Sequence, residues 1–264
     1  MKQANAKIYL IALFISIVSI NSGCKKDGIF CEKGKGSTIS ETRSVSGFTS
    51  VKNEMDATVY VSQGPEFSVT VEAQGNLMDA IKTEVKGSEL RVYNKHCIRK
   101  HDPIVVRVTM PTVNGIAVDG SGSAYAATRI ETSSIGISVD GSGSFVASDS
   151  IVATYCQTSI AGSGNATVLG RFGEIDTRIA GSGNVRLMGL GNASDIDISG
   201  SGDVHEYEMP VKTCSATISG SGNAEVNVSD HLDVSVSGSG DVFYKGNATV
   251  SISKSGSGSV QHVP

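Results

Sequence analysis

From Asn114 onward, apolar and small polar residues alternate in short bursts that restart every 18 to 21 residues. Each burst ends in a glycine. Two positions before it stand Val118, Val139, Ile160, Ile179, Ile198, Ile218 and Val236, and in the last burst Lys254. Four before it stand Ile116, Ile137, Thr158, Thr177, Ile196, Ala216, Val234 and Ile252. Six before it the column is more mixed, running from Asn114 through Cys156, Ser194 and Cys214 to Val250. The residues between are mostly Ser, Thr, Asp, Gly and Ala. Period-2 alternation of this kind is the pattern of a half-buried strand. After the glycine a second inward column begins with Ala124, Phe145, Ala166, Val185, Val204, Ala224, Val242 and Val260. Each burst therefore predicts strand, corner, strand.

The corner is always Gly-Ser-Gly, beginning at Gly120, Gly141, Gly162, Gly181, Gly200, Gly220, Gly238 and Gly256. A fixed period near 20 residues over more than half the chain is the mark of a solenoid. Strands that stack on their own copies make it an all-β, single-stranded parallel β-helix with turns of about 18–21 residues. The Leu-x-x-Leu-x-Leu ladder of leucine-rich repeats is absent. Asn165, Asn184, Asp203, Asn223 and Asp241 follow the second glycine and should stack as a polar ladder. Lys254, in an otherwise apolar column, predicts a final turn with a wet end.

Residues 41–115 lack the tripeptide but carry short apolar or alternating runs at Ala57–Val61, Phe67–Ala73, Leu90–Tyr93 and Val105–Met110. Turn signals separate them, and a short helical turn over Leu77–Ile81 is compatible with the spacing. Irregular N-terminal β coils of the same solenoid, or a small β cap, both fit. The chain then divides into 41–115, an N-terminal β region, and 116–264, the Gly-Ser-Gly repeat.

Residues 1–23 read as an address. Lys2 and Lys7 precede an apolar run, Ile8 to Ile20, too short for a span of ~20 residues but suited to a signal-peptide core. It ends in Asn21-Ser22-Gly23-Cys24, which resembles a bacterial lipobox with Cys24 as the acylated residue. Residues 24–40 would be a lipidated tether, the partner a membrane, and the location the outer membrane or cell surface.

The formal net charge of −4 with no basic stripe argues against a nucleic-acid partner. Charged residues are 18% and hydrophobic residues 39%, so general disorder is excluded. With no Trp there is little material for an aromatic platform.

The opening Arg43-Ser44-Val45-Ser46-Gly47-Phe48, the segments Val59–Gly64, Val69–Gln74 and Leu90–Tyr93, and the run Asn114–Gly122 together resemble one known family. This is the putative auto-transporter adhesin, head GIN domain family, and the resemblance covers about 40–262. It implies a β-helical fold, a cell-envelope location and an adhesin role, and it brings no catalytic residues.

Five cysteines, with Cys24 lipidated, leave four. Cys156 and Cys214 fall in one inward column three turns apart, about 14 Å, beyond disulfide reach. They read as small core residues. Cys31 and Cys97 lie outside the repeats and form the candidate disulfide. His96, Cys97 and His101 share one loop, but no fourth zinc ligand is evident and Lys95, Arg99 and Lys100 add positive charge. No metal and no cofactor are expected. Asp176, Asp195 and Asp233 share an outward column, with Arg178 expected over Asp197. A polysaccharide lyase-like site would use such carboxylates, but a surface ladder contact accounts for them. Two function classes follow: a non-catalytic binding or adhesion module with a glycan or protein ligand, and a structural envelope spacer without one. A polysaccharide lyase-like enzyme is a distant third.

Overall fold

The eight glycines that open the tripeptides stand in one column, each paired in parallel with its copy one turn on, from Gly120 opposite Gly141 to Gly238 opposite Gly256. The computed structural model describes residues 31–264. The signal-peptide reading, Cys24 and the first part of the expected tether lie outside the described residues. The rest is a parallel β-helix with irregular N-terminal coils, as the periodicity predicts.

Two long faces and a shorter third stack, in which 130–132, 151–153 and 170–172 pair in register, make up the solenoid. The first stacks the strands that precede each corner, among them Gly115–Gly120, Ile130–Gly141, Ile151–Gly162 and Ala193–Gly200. The second stacks the strands that follow it, among them Ser123–Ala126, Ser144–Ala147 and Asn184–Leu190. The inward columns fill the space between them, with Val118, Val139, Ile160, Ile179, Ile198 and Ile218 all at most 1% exposed. Cys156 and Cys214 are buried and free.

The corner requires glycine for two different reasons. Gly181 holds φ at +137°, where a side chain is strained. A Cβ on Gly183 would collide with the Gly164 carbonyl oxygen one turn back and with Ile160 Cγ2. Beside this corner the polar ladder closes. Asp203 Oδ1 accepts the backbone N–H of Asn223 at 2.8 Å and its side-chain amide at 2.9 Å, and Asn223 Oδ1 accepts Asp241 N–H at 3.0 Å. Each side chain thus takes a backbone donor of the next turn that the corner would leave unpaired.

The N-terminal coils are stacked out of chain order. Ser50–Asn53 pairs in parallel with Gly115–Gly120 on one side and Glu89–Asn94 on the other. Thr58–Gln63 likewise lies between Ser123–Ala126 and Val105–Met110. The chain lays down the second coil first, then returns to build the terminal one. Antiparallel strands finish this end: Ile81–Lys86 on the first face, Ser68–Gln74 and then Thr38–Arg43 on the second. Coils and cap are both present. The helical turn is a 3-10 turn at Gly75–Leu77, and Ile81 already begins a strand.

The other end is open. Strand Thr249–Gly256 keeps the register of the column, yet Lys254 is exposed and Ile252 is 55% exposed, because among the described residues no further turn covers them.

Candidate functional site

On the first face, the outward column five before each corner runs Glu89, Ser50, Gly115, Gly136, Gln157, Asp176, Asp195. Two adjacent glycines remove two side chains from an otherwise continuous row. The result is a shallow depression of about 280 Å³ whose rim is Ser50, Glu89, Ala117, Ser138, Gln157 and Ser159. Gly136 is not there for steric reasons. Its φ lies outside the left-handed region, and a Cβ would meet nothing closer than the Asn114 carbonyl oxygen at 4.0 Å. A glycine inside a strand has no side chain to pack, and here it leaves the strand backbone uncovered.

Charged groups fix one flank. Arg91 donates to both oxygens of Glu54 at 2.8 and 2.7 Å, and Lys52 reaches Asp119 at 3.0 Å and Glu54 at 3.7 Å. The hydrogen bond from Arg91 lowers the Glu54 pKa, and the bond to Asp119 raises that of Lys52. The flank is therefore a locked ion cluster, held by strands that the out-of-order coils bring together.

Further along the face, the acidic column does not work as a lyase site would. Asp176 and Asp195 are neighbours in register, as are Arg178 and Asp197. Arg178, however, does not bond Asp197. Its guanidinium donates at 2.9 Å to Asp176 Oδ2, two residues back on its own strand, and Tyr155 Oη donates to the same oxygen at 3.1 Å. Side chains two apart on a strand share a face, and the hydroxyl of Tyr155 fixes Asp176 in reach. Two donors occupy that carboxylate.

The loop that suggested zinc is built differently. Cys97 is bonded to Cys31, with Cα atoms 4.5 Å apart. His96 Nε2 lies 2.7 Å from Glu32 Oε2, and His101 Nδ1 lies 2.7 Å from the Asp102 carbonyl oxygen. The hydrogen bond with His96 lowers the Glu32 pKa. The described part of the expected tether is thus tied down: Glu32–Lys33 pairs with Ile98–Arg99, and Asn76 donates to Glu32 and to the Lys33 carbonyl oxygen.

Two features escape a reading of the repeat alone. Tyr60 and Tyr125 stack on the second face with ring centroids 5.1 Å apart, and Arg107 lies 5.0 Å over Tyr60. This short aromatic row exists only because Thr58–Gln63 is inserted between coils that follow it in sequence. The other is Glu206, fully buried in the core. Alternation from Val204 already points it inward, in the column of Leu187 and Val226.

The family model described as putative auto-transporter adhesin, head GIN domain, matches residues 47–248. The chain belongs to this family. Solved structures agree on the fold of this head GIN domain. A putative lipid binding protein from Parabacteroides distasonis superimposes with a TM-score of 0.86 at 22% identity, covering 89% of this chain and 100% of that one. A putative adhesin from the same species gives 0.84 at 24% identity, covering 88% and 99%. One from Parabacteroides merdae gives 0.84 at 19% identity, covering 88% and 99%. No curated protein matches the sequence. Among the described residues no three His, Cys, Asp or Glu side chains are grouped as metal ligands, and no helix is long and apolar enough to cross a membrane.

Proposed function

We propose that this head GIN domain protein is a non-catalytic binding module of the cell envelope, carried to the outer membrane or cell surface as a lipoprotein acylated at Cys24. The depression over Gly115 and Gly136 is its ligand site. The observation that carries this reading is Gly136, a strand glycine that the fold does not need and that exposes backbone between Ser50 and Gln157. The rim offers hydroxyls (Ser50, Ser138, Ser159), one amide (Gln157) and one carboxylate (Glu89), donors and acceptors suited to the hydroxyls of a glycan. No carboxylate pair free for acid–base work lines it.

The test fills the trough. A glycan array and a pull-down from envelope fractions, run with the wild-type chain and with Gly136→Thr, should show saturable binding that the substitution abolishes while melting is unchanged or improved. Equal binding by both proteins would remove the trough from the reading. Absence of saturable binding by the wild type would favour the structural spacer.

A further inference from the structure

The capped end of the solenoid carries a cluster of cations that form no salt bridge among the described residues. Lys33 and Arg99 are exposed and stand directly opposite each other in the parallel pair Glu32–Lys33 with Ile98–Arg99. Like charges placed opposite across a ladder repel. The Cys31–Cys97 bond, two residues before each of them, holds them there. Lys35, Lys95 and Lys100 are exposed on the same two segments. None of the five makes a salt bridge among the described residues, although the same end forms Glu32–His96 and the neighbouring coil forms Arg91–Glu54. Lys100 is also the sole non-glycine residue of the described chain with positive φ, at 49°. A backbone held in that region at an exposed lysine is a local cost without a local gain.

Position says what the cations meet. Cys24 precedes Cys31 by seven residues, a reach of at most about 25 Å fully extended. Because Cys31 is bonded to the loop that carries Lys95, Arg99 and Lys100, an acyl group on Cys24 would keep this end of the solenoid within that reach of the bilayer surface. We propose that the patch formed by Lys33, Lys35, Lys95, Arg99 and Lys100 docks on anionic phospholipid headgroups, so that the solenoid is seated on the membrane by its cap rather than trailing from a loose tether. This rests on the lipoprotein reading above. The Cys31–Cys97 bond then has a mechanical role: it ties the chain from Cys31 onward, inside the expected tether of 24–40, to the cap.

The charge contribution can be measured without the anchor, because Cys31–Pro264 is a compact unit with its own core. The chain starting at Lys25, without an acyl group, is mixed with vesicles of phosphatidylcholine alone or with phosphatidylglycerol, at low and at high salt, and bound protein is read by co-sedimentation. Binding should require phosphatidylglycerol and disappear at high salt. The variant Lys33→Gln/Arg99→Gln/Lys100→Gln should bind about a hundredfold more weakly, at about fivefold (~1 kcal/mol) per cation near an anionic surface. All three positions are exposed, so the fold is retained, and an unchanged melting curve checks this. Equal binding to both vesicle types, or undiminished binding by the variant, overturns the proposal. So does binding to dextran sulfate with none to vesicles, which would assign the patch to an acidic polymer. Acylation is read separately, from the mass of the N-terminal peptide of the full chain, so a missing acyl group and a missing charge contribution are different results.

Discussion

Inside the solenoid, Ser194 Oγ donates a hydrogen bond to Glu206 Oε2 at 2.9 Å, while Glu206 Oε1 has no partner. Ser194 stands in the inward column of the first face, opposite Cys214 in register, and Glu206 comes from Val204–Glu208 on the second face. The register slips between Arg186 and Met188, opposite this strand. A carboxylate there is enclosed by one hydroxyl, one thiol and apolar side chains, and burial pushes the Glu206 pKa up to about 8.

That shift makes stability depend on pH, with a definite sign. The folded state holds the Glu206 proton more tightly than the unfolded chain, whose value is the ordinary 4.5. The contribution of Glu206 is therefore full below about pH 4.5 and is lost as pH rises to about 8, by a few kcal/mol. Glu206→Gln keeps an acceptor for Ser194 without a charge. Thermal melting from pH 5 to pH 9 should show a falling Tm for the wild type and a much flatter curve for the variant. Parallel curves would mean that Glu206 does not titrate in this range.

Glycines with and without a steric role should separate cleanly. Gly183→Ala drives a methyl into the Gly164 carbonyl oxygen and Ile160 Cγ2, and the backbone cannot yield without breaking the ladder. It should cost several kcal/mol and spoil the fold of adjacent turns. Gly136→Ala meets nothing within van der Waals range and should be neutral or stabilising by about 0.5–1 kcal/mol. Denaturant midpoints of the two variants decide it. Similar losses in both would show that glycine at 136 is structural after all.

How much of this was legible follows from what repetition can encode. Inward columns such as Val118 to Ile218 could be read directly, because each residue recurs at one fixed offset from a corner glycine. The polar ladder through Asp203 and Asn223 was legible for the same reason. The order of the N-terminal coils was not: the pairing of Ser50–Asn53 with both Glu89–Asn94 and Gly115–Gly120 depends on a chain reversal that carries no period. The partner of Arg178 was also hidden, since register places Asp197 beside it while Tyr155 fixes Asp176 within closer reach. Glu206 sits at an inward position of the alternation in Val204–Glu208, but a single carboxylate there breaks the apolar column rather than repeating it. The depression at Gly136 needed the structure, because the pairing that sets Ser50 beside Gly115 and closes the rim carries no period.

The inward and outward assignments can be tested at two adjacent residues. Ile198 is fully buried and Ser199 exposed. Ile198→Asp would bury an unpaired charge and should cost several kcal/mol, whereas Ser199→Asp should stay within about 0.5 kcal/mol of the wild type. Circular dichroism melts of the pair give the comparison. Equal shifts would contradict the packing of that strand.

The thiols report on the register of the whole solenoid. Cys156, Ile175, Ser194 and Cys214 occupy one column on successive turns, so the two cysteines lie three strand spacings apart, about 14 Å. Burial pushes the Cys156 thiol up to about 12 and raises the Cys214 thiol well above its ordinary value. Neither forms the thiolate that an alkylating reagent attacks. Iodoacetamide at neutral pH should leave both unmodified in the folded protein and label both after denaturation. Non-reducing peptide mapping should find Cys31 joined to Cys97, a bond whose partners are 66 residues apart and which would add ~4 kcal/mol by restricting the unfolded chain. Reducing it should lower Tm by several degrees without exposing Cys156 or Cys214, because the Glu32–Lys33 segment can detach while the coils stay stacked. Rapid labelling of either buried thiol in the native state, or a peptide linking Cys156 to Cys214, would refute the column in which both are placed.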